Sequence, residues 1–168
     1  VMPGQSIRYD FSGIANNSTT SLTSFYWRDA LPTQAVRLDK IITGTYNVPG
    51  NYKIVYQTNL SGGTWRTMYD NLLTRQNYTL DASPAALGLA SNEYVTAFMV
   101  SFGVVPANFR QVEAPQVYCN VVSQLAGGTQ FTNQADVGGV YDGQWIMATS
   151  RWVTRVYKPS QLLPRTGY

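Results

Sequence analysis

Apolar and polar residues alternate with a period of two along most of this chain, and this pattern limits the possible folds more than any other feature. The alternation is clearest over residues 7–11 and 52–56. It is typical of β-strands that bury one face. Residues 94–105 are apolar at nearly every position, which predicts a central strand buried on both faces.

Further segments with strand character are separated by short turn signals such as Pro49-Gly50 and Gly127-Gly128. We expect strands at 24–28, 36–46, 64–69, 116–122, 139–148 and 152–157. Residues 83–90 are the one weakly helical stretch, with room for one or two turns. Many short strands without intervening helices predict an all-β sandwich over residues 1–157, followed by an extended linker over 158–168.

The composition narrows the classes of function. Charged residues make up 12% of the chain, and the net charge of +3 comes from scattered Arg and Lys, so we do not expect a nucleic-acid partner. The chain has no histidine, and its acidic residues lack the spacing of a calcium loop. We therefore predict no enzymatic activity, no catalytic residues, no cofactor and no metal site. The single cysteine, Cys119, lies in an apolar segment and is predicted to be a buried, unreactive thiol.

A five-residue motif near the end of the chain gives the sharpest functional signal. The residues are Leu163, Pro164, Arg165, Thr166 and Gly167. Proline keeps such a segment extended, and glycine leaves the neighbouring peptide bond accessible to a nucleophile. The motif resembles the LPxTG sorting signal of Gram-positive surface proteins. This resemblance implies that sortase cleaves after Thr166 and joins Thr166 to peptidoglycan, with membrane contact only through a C-terminal tail that is removed.

A second, dispersed pattern covers most of the chain. It opens with alternating residues from Tyr9 to Asn16, continues to Asp29-Ala30-Leu31-Pro32, and closes with an apolar-x-Asn-x-Ala-x-Val run over 131–137. These elements resemble immunoglobulin-like repeats of bacterial surface proteins. The resemblance implies an immunoglobulin-like β-sandwich that stands at the cell wall.

Some of these repeats, the A-type isopeptide-forming domains of pilins and adhesins, join a Lys to an Asn through a buried amide bond. The resemblance assigns the assisting acid to Asp29 and the reacting amide to Asn133. The family's Lys lies on a strand before the Tyr9 strand. Within this chain only Lys40 is a candidate, because it alternates in phase with Val36 and Leu38.

Local explanations for both polar residues remain open. Asp29 is equally suited to close its own turn at Ala30-Leu31-Pro32, and Asn133 to bond backbone groups in a bend. For the aromatic residues Tyr26, Trp65, Tyr69, Trp145 and Tyr168, the alternatives are a ligand-binding surface and ordinary packing on a sheet face.

These features together predict a secreted surface stalk or adhesin module anchored to the cell wall. Its expected partners are sortase and peptidoglycan, and a host glycan or matrix protein is a further candidate. Two alternatives are a subunit of a sortase-assembled pilus and the spacer of a wall-anchored enzyme whose catalytic domain lies upstream.

Overall fold

A computed structural model describes residues 4–155, apart from the side chain of Trp152. Antiparallel strands make up 58% of this region and helix only 3%, which confirms the predicted all-β, immunoglobulin-like sandwich. The sorting motif, the linker and the predicted domain boundary at residue 157 lie outside the described residues. The strands are β1 (Ser6–Asp10), β2 (Leu22–Ala30), β3 (Val36–Ile42), β4 (Thr45–Tyr46), β5 (Asn51–Thr58), β6 (Arg66–Leu73), β7 (Thr79–Asp81), β8 (Val95–Val105), β9 (Gln111–Glu113), β10 (Gln116–Val121), β11 (Gln130–Tyr141) and β12 (Gln144–Arg155).

Two main sheets form the sandwich. The smaller has the strand order β1-β10-β3-β7, and the larger has the order β12-β11-β2-β8-β5-β6. A third, two-stranded ribbon pairs β4 with β9. The predicted central strand is confirmed, because β8 lies between β2 and β5 in the larger sheet.

The core forms where the inward rows of the two sheets meet, as the alternation predicts. Alternation predicts seven core positions, and six of these residues are buried: Tyr9, Trp27, Leu38, Ile54, Phe98 and Val100. A seventh, Phe102, is partly buried and packs against that cluster. Cys119 is also buried, and burial raises the pKa of its thiol.

The single described helix, α1 (Pro84–Leu87), falls within the predicted helical stretch. Ser83 caps its first turn, because its hydroxyl accepts a hydrogen bond from the Ala86 amide. Gly88 ends it in the left-handed conformation, with a φ of 65°. No helix in the described part of the chain is long and apolar enough to cross a membrane.

The region after residue 130 differs from the expected strands. The predicted strand at 139–148 is wrong as one strand, whereas the hairpin turn that the Asp142-Gly143 dipeptide predicts within it is confirmed, because both residues have positive φ and join β11 to β12. The predicted strand at 152–157 is not separate over its described part, since residues 152–155 belong to β12.

The short strands β7 and β9 were not predicted from the sequence, since three residues are too few for alternation to be visible.

Candidate functional site

The sandwich brings Asp29 and Asn133 together in its interior. Asp29 follows Phe25 and Trp27 in the inward row of β2, and it lies opposite Ala135 of β11. Asn133 precedes Ala135 by two positions and points to the same face. The two side chains are thus diagonal neighbours across one strand pair, which places them within reach of each other. Both residues have an exposed fraction of 0%.

The surroundings of Asp29 favour a neutral carboxylic acid. Loss of solvent on burial raises its pKa to about 8, and the nearby negative charge of Asp136 acts in the same direction. The adjacent amide of Asn133 opposes this rise in pKa. At neutral pH the carboxyl therefore carries its proton, and it can donate a hydrogen bond to a carbonyl oxygen.

Neither side chain completes a hydrogen bond of normal geometry with the described residues. Both carboxyl oxygens of Asp29 and both polar atoms of Asn133 are buried without such a partner. The two local explanations are therefore not what the structure shows. Asp29 lies within a strand and does not bond the Ala30-Leu31-Pro32 turn, and Asn133 bonds no backbone group. Leaving buried polar groups unpaired costs about 1–3 kcal/mol for each group.

Residues of neighbouring strands surround the pair, and sequence reasoning did not assign them to the site. Tyr9 of β1 and Cys119 of β10 lie close enough to Asp29 for its charge to raise the pKa of each, although burial is the larger cause for both. The hydroxyl of Tyr9 also interacts with Thr154 of β12. The site therefore lies between the two sheets, beside the edge strands β1 and β12.

Lys40 is not part of this site, and the prediction that it faces inward is wrong. In the pairing of β3 with β10, Leu38 lies opposite Cys119 and Lys40 lies opposite Tyr118, so Asp39 is an extra residue. This β-bulge reverses the alternation, and Ile41 rather than Lys40 is the next buried residue. The Lys40 ammonium packs over the Tyr118 ring, 4.4 Å from its centroid.

An apolar groove runs along the inward face of β12. It leads towards the end of the sandwich where Asp29 and Asn133 lie. One part, of about 210 Å³, is lined by residues that include Phe11, Trp27, Ala135 and Ser150. A second part, of about 340 Å³, shares Gly13, Val137 and Ala148 with it. Asn133 is the next inward residue of β11 after Ala135, about 7 Å further along the strand.

The described candidate aromatic residues occupy different environments. Trp145 is 66% exposed, and its ring meets Tyr26 edge-on with a centroid separation of 6.3 Å. Tyr69 donates a hydrogen bond from its hydroxyl to the Asp81 carbonyl at 2.8 Å, and Trp65 is half-buried. Only Tyr26 and Trp145 therefore form a pair. Tyr168 lies outside the described residues.

No family model, curated protein or solved structure matches the chain. Among the described residues, no group of three or more His, Cys, Asp or Glu side chains is placed to hold a metal ion. The chemistry of the site therefore has to be argued from Asp29, Asn133 and their surroundings.

Proposed function

We propose that this chain is an immunoglobulin-like stalk or adhesin module of a Gram-positive surface protein, joined to peptidoglycan by sortase through Thr166. In this proposal, Asp29 and Asn133 are the acceptor half of an internal Lys–Asn cross-link. The observation that carries the cross-link is the pair itself, because it combines a neutral acid and an amide side by side in the core, neither of them in a hydrogen bond of normal geometry with described residues.

The proposed reaction requires one further group, an uncharged lysine amine. Its nitrogen attacks the side-chain carbonyl carbon of Asn133, the bond from that carbon to the amide nitrogen breaks, and ammonia leaves. The protonated carboxyl of Asp29 polarises the carbonyl by hydrogen bonding, gives its proton to the departing nitrogen and takes up the proton that the attacking nitrogen loses, so it ends protonated again. A buried lysine supplies a neutral amine, since burial disfavours its charged form.

The amine has to come from outside the described residues. Lys40 packs on Tyr118, and Lys53 is an exposed residue of β5 that lies opposite Ser101. In the resembled family a strand before the Tyr9 strand carries the lysine. The groove beside β12 supports this assignment, because it provides an apolar space that leads towards Asn133.

A covalent cross-link suits a module that bears mechanical load. It would tie an early strand to β11, and it would limit the unfolded ensemble as a disulfide closing a long loop does. The sorting motif lies near the carboxyl end of the chain, since Leu163 follows Arg155, the last described residue of β12, by eight positions. The proposed wall attachment would therefore apply the mechanical load at the carboxyl end of the module.

The wall attachment is tested by incubating the chain with a sortase and a glycine-based amine nucleophile. We expect a product that ends in an amide at Thr166, and we expect none from Thr166→Ala. Arg165→Ala is the matched control, because Arg165 occupies the variable position of the motif and its replacement should leave processing intact. Equal processing of Thr166→Ala would overturn the attachment.

The cross-link is tested separately by intact mass. Residues 1–168 alone are expected at their full calculated mass, because Lys40 and Lys53 both lie away from Asn133 and the third lysine, Lys158, belongs to the predicted linker. A chain extended at its amino end by a lysine-bearing strand is expected to lose one ammonia. Asn133→Ala and Asp29→Ala should each restore the full mass, whereas Lys40→Ala should not. An ammonia loss that persists in Asp29→Ala would exclude Asp29 as the acid.

A further inference from the structure

The edges of the two main sheets are protected to very different degrees. In the smaller sheet, β7 has three residues, and β1 has five residues and carries an Arg8–Asp10 ion pair at 2.7 Å. In the larger sheet, β6 pairs irregularly with β5 and contains Asn71 with a φ of 55°. Short length, charges and bulges are the features by which natural proteins prevent edge strands from pairing with other chains.

The strand β12 is long and free of bulges over its described length, and Arg151 and Arg155 are its only charged residues. Its 12 residues pair with β11 at every position without a register shift. It contains no Pro, Lys, Asp or Glu. Its outward row carries three exposed apolar side chains, since Trp145, Met147 and Val153 are 66%, 61% and 66% exposed. A long, regular and apolar edge is a template for pairing with another strand.

We propose that β12 pairs antiparallel with β12 of a second copy of this chain, which joins the two larger sheets into one continuous sheet. In the antiparallel orientation, the outward residues of β12 are complementary to those of β12 in the second copy. With Thr149 opposite Thr149 of the other copy, Trp145 lies opposite Val153 at both ends of the pairing. The three exposed apolar residues of each copy are then covered by a two-fold symmetric contact.

The charges on the strand favour the same arrangement. A parallel, in-register pairing would place Arg151 and Arg155 beside their own copies, and like charges directly opposite each other are destabilising. The antiparallel register instead places Arg151 opposite Met147. It also places Arg155 opposite Gly143, beside the carboxylate of Asp142 in the exposed hairpin turn.

Sedimentation velocity of residues 1–168 over a wide concentration range tests the association. We expect a reversible monomer–dimer equilibrium. Val153→Lys should raise the dimer dissociation constant by about tenfold or more, because it places two ammonium groups in the apolar contact. Leu73→Lys is the matched control, since Leu73 is 47% exposed on the opposite edge strand β6. A monomer at every concentration would overturn the proposal, as would a dimer weakened by Leu73→Lys and not by Val153→Lys.

Disulfide trapping tests the register. In the proposed pairing, the two copies of Thr149 face each other, whereas the two copies of Arg151 are four positions apart, about 13 Å. Thr149→Cys should therefore form a covalent dimer under mild oxidation much faster than Arg151→Cys does. Cys119 will not compete, because it is buried. Faster trapping through Arg151→Cys would overturn this pairing.

Discussion

Two buried asparagines in this sandwich have opposite surroundings. The amide nitrogen of Asn16, 3% exposed, donates to the carbonyls of Thr20 and Pro106, both at 2.9 Å. Its amide oxygen accepts from the backbone amide and the hydroxyl of Ser18, at 3.0 and 2.6 Å. Asn133 is 0% exposed, yet it makes no hydrogen bond of normal geometry with the described residues, although its amide lies near enough to the Asp29 carboxyl to lower the pKa of that group.

The contrast separates polar residues that hold the fold from those available for chemistry. Asn16 fixes the chain between β1 and β2, and its bonds offset the cost of its burial. The Trp27 indole is satisfied in the same way, because it donates to the Tyr46 hydroxyl at 3.0 Å, which in turn donates to the Thr43 carbonyl at 3.0 Å. Asn133 and Asp29 have no such compensation, which is the condition expected of a site whose partner group is yet to bind.

The largest expected effect is on the pH dependence of stability. The pKa of Asp29 is raised by folding to about 8 from an unfolded value of 3.8, so the folded state binds a proton that the unfolded state releases. The contribution of Asp29 to the free energy of unfolding should therefore fall as the pH rises from about 4 to 8, by roughly 6 kcal/mol in total.

Urea unfolding of the wild type and of Asp29→Asn across this pH range measures that contribution. Asp29→Asn should flatten the decline and be the more stable protein at pH 8. The same slope in both proteins would show that Asp29 is ionised in the folded state and that the site lacks its acid.

The second-largest expected effect is the difference in stability loss between replacing Asn16 and replacing Asn133. Replacement by leucine keeps the number and branching of the side-chain heavy atoms and removes every hydrogen bond, so it tests mainly what the bonds contribute. Asn16→Leu should lower the free energy of unfolding by about 3 kcal/mol, because it leaves buried backbone groups unpaired. Asn133→Leu should lie within about 1 kcal/mol of the wild type, or be more stable. Chemical denaturation at pH 7 measures both, and equal losses would show that Asn133 is a structural residue.

The smallest effect is expected at Lys40. Its contact with the Tyr118 ring contributes about 0.5–1 kcal/mol, and no ion pair of Lys40 occurs among the described residues. Lys40→Met should therefore reduce stability by no more than this amount in thermal unfolding experiments. A loss of several kcal/mol would mean that the ammonium has a role inside the sandwich. Tyr118→Leu removes the ring and serves as the companion variant, because Lys40→Met should have no further effect on stability once the ring is absent.

Most of the strands and the inward orientation of Asp29 and Asn133 were predictable from the sequence, because both depend on local periodicity, whereas the choice of these two residues came from the family resemblance. Alternation along β2 placed Asp29 in the row of Phe25 and Trp27, and alternation along β11 placed Asn133 with Phe131 and Ala135. A period of two is a property of one strand and needs no knowledge of its neighbours.

Only the tertiary structure determined which residues each face of a strand contacts. The bulge at Asp39 arises in the pairing of β3 with β10, so alternation along β3 alone assigned Lys40 to the wrong face. The Asp142-Gly143 dipeptide indicates a hairpin turn in the sequence, but only the pairing of β11 with β12 shows that residues 144–155 form one uninterrupted edge strand. The missing hydrogen bonds of Asp29 and Asn133 likewise depend on which atoms the opposite sheet brings near them. Burial pattern is a local property of the sequence, whereas strand register, edge exposure and the partners of a buried polar atom are relations between distant segments that folding alone brings together.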